Sequence, residues 1–453
     1  GYHTSLAGKM HFVGPDQLHG YQERLTTDIY PSDFGWTPDW RKMIPVAATG
    51  LNLRSVVESG TCRRSLQLDY DDEVAARAVQ RLYDYGRDRT RPFFLTVSFT
   101  HPHNPYVITD AYWNRYDAAA IDAPAVPPLA DAEHDPHSRR LRQIYRFDEY
   151  RVSRDDVMRA RHAYYGMISY VDDQVGKLLA ALDAMDLSED TVIIFTADHG
   201  DMLGERGLWY KWTLFEHAVR IPLIIAVPGQ PATRVAEPVS LLDLLPTCID
   251  IGSHGERTVT PVSDIEGASL WPRLTRGAAL PPERPVFAEM NADGALSPCL
   301  MVRRGPWKYI HSDSDPPQLF QLEHDPHELD NLAGSPQLAA IEDGMRALMH
   351  GNWDLPQLAR AVVSSAEQRL FIQRTRLAGE FAPWDFEPRK DASQQFVRNG
   401  ANGSATVVKG RARYPFVAPK SPDRILCPQP PTGDLPCNTN FASTAACPGG
   451  WPT

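Results

Sequence analysis

The sequence lacks any apolar run long enough to cross a membrane as a helix, which takes about 18 to 20 residues. It also lacks an excess of positive charge. Among 453 residues, 46 Lys and Arg stand against 57 Asp and Glu, a formal net charge of −11 at pH 7. These two shortages argue against a membrane partner and against a nucleic-acid partner. A small anionic substrate is compatible with this charge, because it needs only a few local cations.

Cysteine is scarce, and its spacing matches no metal motif. Cys62, Cys248 and Cys299 are scattered, which favours free thiols in a reducing compartment. The other three lie in the last 27 residues, where Gly, Pro and Ser are also frequent and apolar periodicity is absent. This composition predicts an irregular or disordered extension over residues 399–453. The chain begins GYHTSLAGKMHF, without Met, and we expect that an N-terminal segment is missing.

Two apolar runs predict buried strands, and each ends in polar residues. One covers residues 92–99 and ends at His-Pro-His; the other covers 192–196 and ends at Ala-Asp-His-Gly-Asp. Between them, residues 153–186 repeat apolar side chains at steps of three and four, with Ser153 as a start signal, which predicts a long helix. Three further segments predict a helix over 70–89, a surface loop over 121–150 and a strand over 221–229.

Strand, helix and strand in this order predict a parallel sheet of the β-α-β type. Ligands of such open sheets bind beyond the carboxyl ends of the strands. We therefore expect His103 and the Asp198–His199 pair to lie at one edge, with Glu289 joining them from the end of PVFAEM. Residues 283–330 hold short strand candidates separated by turn residues, which indicates a smaller antiparallel sheet. Residues 334–380 are predicted to be helical.

The polar residues at the strand ends could serve catalysis. A carboxylate and an imidazole at Asp198 and His199 are suitable ligands for a divalent cation, and Gly200 permits a turn there. The alternative is a helix N-cap beside a surface histidine, which is the commoner fate of an isolated Asp-His-Gly. Lys9 and His11 stand two residues apart, so on a strand they would share one face and could meet an oxyanion.

Further cations and imidazoles accompany them. His101 and His103 follow the first strand, and one of them could act as a general acid. Lys211 follows the Asp-His pair and could return to the same site, although lysines are usually exposed. Each signal is weak alone, but together they fit metal-assisted hydrolysis or transfer of a sulfuryl or phosphoryl ester.

Several motifs together resemble those of a known family. GKMHF, THPHNP, FTADHGDMLGERGLWYK, RIPLII, LLDLLPT and LFQLEHDPHELDNLA occur in this order and resemble the sulfatases of the alkaline phosphatase superfamily, most narrowly the choline sulfatases. The resemblance implies a doubly wound, mostly parallel α/β sheet flanked by helices, with a smaller C-terminal α+β subdomain. It implies a catalytic domain over 1–280 and the subdomain over 281–398. The implied reaction is the hydrolysis of choline O-sulfate to choline and sulfate.

The resemblance also implies a role for each matching residue. Asp198 and His199 would bind a divalent metal, with Ca²⁺ expected and Mn²⁺ or Mg²⁺ as alternatives. Lys9 and Lys211 would hold the sulfate oxygens. His11 would contact the nucleophile, and His103 would protonate the leaving choline oxygen.

A quaternary ammonium has no N–H to donate, so aromatic faces and carboxylates bind it. The candidates for that role are Trp36, Glu289, Trp384 and Asp385.

The sequence departs from the family pattern in two ways. Sulfatases use a formylglycine nucleophile made from a Cys/Ser-x-Pro-x-Arg motif, and none of the six cysteines here stands in it. The family's Asp pair on the first strand is also absent. We expect both to belong to the missing N-terminal segment. The alternatives are a phosphonate monoester or phosphodiester hydrolase of the same superfamily and an inactive choline-binding relative. We further expect a cytoplasmic homo-oligomer, either a dimer or a tetramer.

Overall fold

A computed structural model describes residues 1–30, 34–37, 40, 51–253, 263–281 and 283–379. The candidates Trp384 and Asp385 and the predicted extension over 399–453 lie outside the described residues. The strands are β1 His3–Gly8, β2 Glu23–Arg24, β3 Gly60–Thr61, β4 Phe93–Ser98, β5 Val107–Ile108, β6 Ile193–Thr196, β7 Leu223–Ala226, β8 Val286–Met290, β9 Cys299–Arg304, β10 Trp307–Ser312 and β11 Asp315–Gln321.

Ten α-helices lie between and after these strands in the described residues. They are α1 Arg54–Val57, α2 Leu66–Arg87, α3 Asp110–Trp113, α4 Pro136–Ile144, α5 Arg154–Ala184, α6 Glu216–Val219, α7 Leu244–Gly252, α8 Trp271–Arg276, α9 Ala339–Asn352 and α10 Leu355–Ala378. Among the described residues, we find no helix that combines the length and the apolar character needed to cross a membrane.

A parallel sheet brings β2, β1 and β4 together in that order. β1 and β4 pair over their full lengths, from His3 opposite Phe93 to Gly8 opposite Ser98. The apolar side chains of β4 pack on α2, where Val74 and Ala78 are fully buried. The predicted strand at 92–99 is thus confirmed, and β1 and β4 end at the same edge of the sheet. The expectation that this strand and the one at 192–196 are buried is wrong, because the side chains of β4 and β6 are partly buried or exposed.

The helix α5 confirms the long periodic segment. Ser153 caps its start: the Ser153 Oγ accepts from the backbone N–H of Asp156 at 3.1 Å, and the Asp156 carboxylate accepts from the N–H of Ser153 at 2.8 Å. One face of α5 buries Ala163 and Met167 in the largest apolar cluster, together with Tyr210. This packing explains the apolar repeat, because a helix presents residues three and four apart on one face.

Two expectations about this region are wrong. The expected pairing of β4 and β6 in a parallel β-α-β unit is not found among the described strands: β6 is not hydrogen-bonded to the β2-β1-β4 sheet and instead pairs with β7 in the antiparallel sense, from Ile193 opposite Ala226 to Thr196 opposite Leu223. The segment 121–150 is not a continuous loop, since it contains α4. That helix starts at Pro136 after an Asp135 cap and buries polar residues, so hydrophobic periodicity does not reveal it.

The C-terminal subdomain is an antiparallel sheet in the order β11-β10-β9-β8. The helix α9 packs on it through Met345 and Met349, against Leu300 and Val302 of β9. This confirms the expected antiparallel sheet and the helical segment that follows.

A buried ion pair ties the two parts together. Nζ of Lys308, which is fully buried in β10, lies 2.7 Å from Glu328 Oε1 and 3.1 Å from Glu216 Oε1 in α6. Cys62, Cys248 and Cys299 are free thiols, as their spacing predicts.

Candidate functional site

The lysine of the first motif leaves the sheet at the end of β1. Gly8 has a φ of +113°, and a Cβ atom there would overlap the carbonyl oxygen of Ser98, so this turn requires glycine. Lys9 follows and is buried. Burial lowers the pKa of its ammonium, whereas the charges of Asp198 and Asp28 raise it. The expectation that Lys9 and His11 share one face of a strand is wrong, because both lie past its end and His11 has a φ of 57°.

Asp28 holds this turn, although sequence reasoning did not find it. Its Oδ2 accepts from the backbone N–H groups of Met10 and His11 at 2.9 and 2.8 Å, and Arg24 Nη2 lies 3.1 Å from the same oxygen. His11 Nδ1 donates to the carbonyl oxygen of Tyr30 at 2.7 Å, which fixes the ring. Burial, followed by the charge of Lys9, lowers the pKa of His11. The only signal in the sequence is an Arg and an Asp four residues apart.

His103 enters the site from the turn after β4. Its Nδ1 donates to the carbonyl oxygen of Asn104 at 2.7 Å, so its Nε2 is free to accept. Lys211 Nζ lies 3.4 Å from that Nε2. Burial, followed by the charges of Lys211 and Lys9, lowers the pKa of His103 to about 2. His103 is therefore neutral at pH 7 in this arrangement and accepts a hydrogen bond from the Lys211 ammonium.

The other histidine of this motif, His101, anchors the turn after β4 through Asp71. His101 is buried, and its Nδ1 lies 2.6 Å from Asp71 Oδ2. The same carboxylate accepts from the backbone N–H groups of Thr100 and His101 at 2.7 and 2.9 Å. Asp71, on α2, thus fixes the start of the turn that carries His103, and the sequence alone gave no sign of it.

Lys211 reaches the site because its loop is tied to Asp201. Asp201 Oδ1 accepts from the backbone N–H groups of Leu203 and Tyr210 at 2.9 and 3.1 Å, and Tyr106 donates its hydroxyl to Oδ2 at 2.8 Å. Burial, followed by the charge of Lys9, lowers the pKa of Lys211 to about 8. The charges of two desolvated ammonium groups, Lys9 and Lys211, thus act on each other and on His103, which is an electrostatic arrangement for binding an anion.

Asp198 and His199 follow β6 in a turn and not at the start of a helix, so the N-cap alternative is wrong. Gly200 is required by a close approach, since a Cβ atom there would overlap the carbonyl oxygen of His217. His199 Nδ1 donates to the Gly200 carbonyl at 2.9 Å, and its Nε2 lies 3.4 Å from Asp198 Oδ2. That Nε2 is buried without a hydrogen-bond partner.

The chemistry of this pair fits a divalent cation. Burial, followed by the charge of Lys211, lowers the pKa of His199 to about 4, so its imidazole is neutral at pH 7. Although burial opposes it, the charges of His199 and Lys9 lower the pKa of Asp198, which keeps that carboxyl ionised. A carboxylate and a neutral imidazole nitrogen can both bind a divalent cation; the carboxylate oxygen suits Ca²⁺, Mn²⁺ or Mg²⁺, whereas an imidazole nitrogen is a more usual ligand of transition metals. Within the described residues, no group of three or more His, Cys, Asp or Glu side chains could hold a metal.

The predicted choline-binding residues lie at different places. The ring of Trp36 lies 6.0 Å from the ring of His11, edge to face, and 37% of Trp36 is exposed. Glu289 instead accepts from the indole N–H of Trp353 at 3.1 Å and from Asn291 at 3.4 Å. Among the described residues, the structure thus connects Trp36 to the lysine and histidine cluster but gives Glu289 no contact with it.

Comparison with known proteins identifies the family of the chain. The sequence model described as Sulfatase matches residues 1–253, the model for the C-terminal part of N-sulphoglucosamine sulphohydrolase matches 204–352, and the model for the choline sulfatase C terminus matches 360–414. The choline-sulfatase of Rhizobium meliloti (strain 1021) is 42% identical over 92% of this chain and 81% of its own length. Arylsulfatase K of Danio rerio is 26% identical over 86% of this chain and 75% of its own length.

A solved structure shares the fold. The crystal structure of the phosphonate monoester hydrolase of Agrobacterium radiobacter matches with a TM-score of 0.57 at 22% identity, over 81% of this chain and 78% of that chain. Its likeness extends to the α/β sheet with flanking helices and the C-terminal antiparallel subdomain expected from the sequence. This likeness shows the fold alone, whereas the sequence matches show that the chain belongs to the sulfatase family of the alkaline phosphatase superfamily and is a sulfuric ester hydrolase.

Proposed function

We propose that this sulfatase hydrolyses choline O-sulfate to choline and sulfate. The observation that carries the proposal is the convergence of the Lys9 and Lys211 ammonium groups beside His103, with Trp36 at the rim next to His11. The 42% identity to a choline-sulfatase over most of both chains supports the choice of substrate. The substrate carries an anionic group at one end and a quaternary ammonium at the other, and the site offers a partner to each.

Lys9 and Lys211 bind the sulfate oxygens in this proposal. Both side chains are largely removed from water, so their attraction to an anion is weakly screened. Charge accumulates on the sulfuryl oxygens and on the leaving oxygen during ester cleavage, and fixed cations stabilise that charge without reorganising. Because each lysine is held by a tight backbone turn, the two ammonium groups are positioned before the substrate arrives.

His103 delivers the proton that the departing choline oxygen needs. With no anion present it is neutral, because Lys211 and Lys9 oppose its charge. A bound sulfate group offsets those two charges, which raises the pKa of His103 in the complex and lets Nε2 carry the proton. The proton comes from solvent, so Lys211, whose Nζ lies 3.4 Å from this nitrogen, keeps its ammonium charge for the sulfate oxygens.

Asp198 and His199 would hold a divalent cation, with Ca²⁺ as our expectation. The bound cation would supply Lewis-acid polarisation of the sulfuryl oxygens. The buried His199 Nε2 without a partner supports this assignment. The hydrogen bond from Nδ1 to Gly200 presents that nitrogen as a lone pair.

The choline end would meet Trp36, since an aromatic face attracts a quaternary ammonium. Glu289, Trp384 and Asp385 remain predicted partners of the same group. His11 would contact the nucleophile. The family's formylglycine is part of the proposal, but none of the six cysteines stands in its precursor motif, so no step is assigned to it. We also propose a cytoplasmic homo-oligomer.

The test compares substrates that differ only in the leaving group or in the central atom. We expect kcat/KM to be higher for choline O-sulfate than for 4-nitrophenyl sulfate, and higher for both than for a phenylphosphonate monoester. Equal or faster turnover of the aryl sulfate would refute the choline assignment. Faster turnover of the phosphonate would favour a phosphonate monoester hydrolase. Saturable choline binding in calorimetry without turnover of any ester would favour a binding protein.

A further inference from the structure

The last described helix returns to the segment that carries Trp36. Arg369, on α10, donates from Nε to the carbonyl oxygen of Phe34 at 3.3 Å and from Nη2 to the carbonyl oxygen of Trp36 at 2.9 Å. Its guanidinium thus spans the backbone on both sides of Gly35. The side chain of Gln373, one turn further along α10, occupies the space where a Cβ atom of residue 35 would lie. The helix therefore contacts this backbone directly.

Apolar burial does not explain why α10 takes this path. Of its 24 residues, only Leu355, at its start, is buried. The contacts near its other end are polar or cationic: Arg369 binds the two carbonyl groups, and the Arg376 guanidinium lies 6.0 Å from the ring centre of Phe34. A guanidinium presents several donors in a rigid fork, so it can fix two carbonyl groups at once.

The segment held in this way carries a partly exposed aromatic ring beside His11 of the catalytic cluster. Trp36 lies 6.0 Å from His11 and keeps 37% of its surface exposed. The attraction between an indole face and a cation requires the cation within about 6 Å of the ring centre. A loop that wandered by a few ångströms would lose that attraction, so the position of the Trp36 backbone matters for binding a quaternary ammonium.

We propose that Arg369 is a positioning residue: it holds the backbone of Trp36 and thereby sets the preference for sulfate esters that carry a quaternary ammonium. This inference rests on the proposed function. The two hydrogen bonds described above join Arg369 to the backbone carbonyl groups of Phe34 and Trp36, so we assign it a role at the ammonium end of the substrate and none in the chemistry of the sulfuryl group. Its loss therefore affects one end of the substrate only.

The experiment measures kcat/KM of the natural full-length protein for choline O-sulfate and for 4-nitrophenyl sulfate, which lacks the ammonium. We expect Arg369→Ala to lower kcat/KM for choline O-sulfate by about tenfold, mainly through KM, and to leave the aryl sulfate within about twofold. The matched control is Arg374→Ala, on the same helix, whose Nε donates to the Leu370 carbonyl of α10 itself. That control should behave like the wild type with both substrates.

A double-mutant cycle tests whether Arg369 acts through Trp36. In a Trp36→Ala background, Arg369→Ala should cause no further loss with choline O-sulfate, because the ring that it positions is gone. An equal fall with both esters, an unchanged ratio between them, or additive losses in the cycle would each overturn the inference. If Arg369→Ala does not fold, Arg369→Lys replaces it, with an intermediate loss expected because an ammonium cannot reproduce the fork.

The wild type separates this inference from the proposed function. If the wild type shows no preference for choline O-sulfate, the proposed function has failed and the inference fails with it. If the wild type shows that preference and Arg369→Ala retains it, only the role of Arg369 has failed.

Discussion

We predict that Lys211 makes the affinity for sulfate depend on pH in a range where lysines normally do not titrate. Its pKa is about 8, because burial and the charge of Lys9 oppose its ammonium. About nine-tenths of the ammonium groups are therefore charged at pH 7 and about one-tenth at pH 9. Inorganic sulfate stays a dianion across this range. If the charged form is the one that binds, the association constant for sulfate should fall by about tenfold from pH 7 to pH 9.

The measurement is titration calorimetry with inorganic sulfate between pH 6.5 and 9.5 at constant ionic strength, because surface charge effects are screened by salt. The matched control is Lys211→Arg, whose guanidinium stays protonated throughout. Lys9 also has a pKa lowered by burial and is present in both proteins, so the difference between the two profiles isolates Lys211. An affinity that is constant from pH 7 to pH 9 in the wild type, or an equally steep fall in the arginine variant, would refute the reasoning.

Three further predictions concern stability and metal binding. Lys308→Met should lower the free energy of unfolding by about 3 to 5 kcal/mol in urea titrations, because Glu216 and Glu328 would keep their charges without the buried cation; a loss below about 1 kcal/mol would contradict this. His134, buried with both ring nitrogens unpaired, has a pKa lowered by burial from 6.5. The unfolded chain therefore binds its proton first, and stability should fall below about pH 6.5 less steeply in His134→Phe than in the wild type. Asp198→Asn should weaken divalent-cation binding by about tenfold or more in equilibrium dialysis with metal analysis; unchanged binding would place the cation elsewhere.

The elements that the sequence predicts well are those whose burial follows a simple period. The helix α5 starts one residue after its Ser153 cap, and β4 and β6 lie within the apolar runs that announce them. The helix α4 escapes this reasoning because its cap and its first-turn Pro136 are its signals, while the residues that it buries include His137 and Ser138. Only two of the four residues that it buries, Leu141 and Ile144, are apolar, and two positions are too short a pattern to predict a helix.

Strand direction is a second property that the residues do not encode locally. β6 and β7 alternate partly buried side chains as any half-covered strands do, and their pairing is antiparallel. The chain between Thr196 and Leu223 contains the Asp-His turn, the Lys211 loop and the short α6, and not a long crossover helix. Two parallel neighbouring strands need such a crossover, which is usually helical. The lack of a long helix between β6 and β7 therefore indicates their antiparallel pairing better than the residues of the strands do.

The candidate site contains two kinds of residue: those proposed to contact the substrate and those that fix the backbone around them. Lys9, His103 and Lys211 can be selected from the sequence because cations and imidazoles follow strand ends. Their supports, Asp28 and Asp71, cannot, since each acts on backbone N–H groups that are distant in sequence. An aspartate that caps a remote turn resembles any other aspartate until the chain is folded.

Protonation is the last property that only the folded site determines. From the sequence, His103 is a histidine with an ordinary pKa and a natural general acid. In the structure, two lysines and burial make it neutral at pH 7, while its neighbour Lys211 carries the proton. The same two lysines would bind the sulfate whose charge offsets them. In the proposed mechanism, substrate binding and proton delivery therefore use one set of charges, and we predict that His103 becomes an acid only when the group that it helps to cleave is in place.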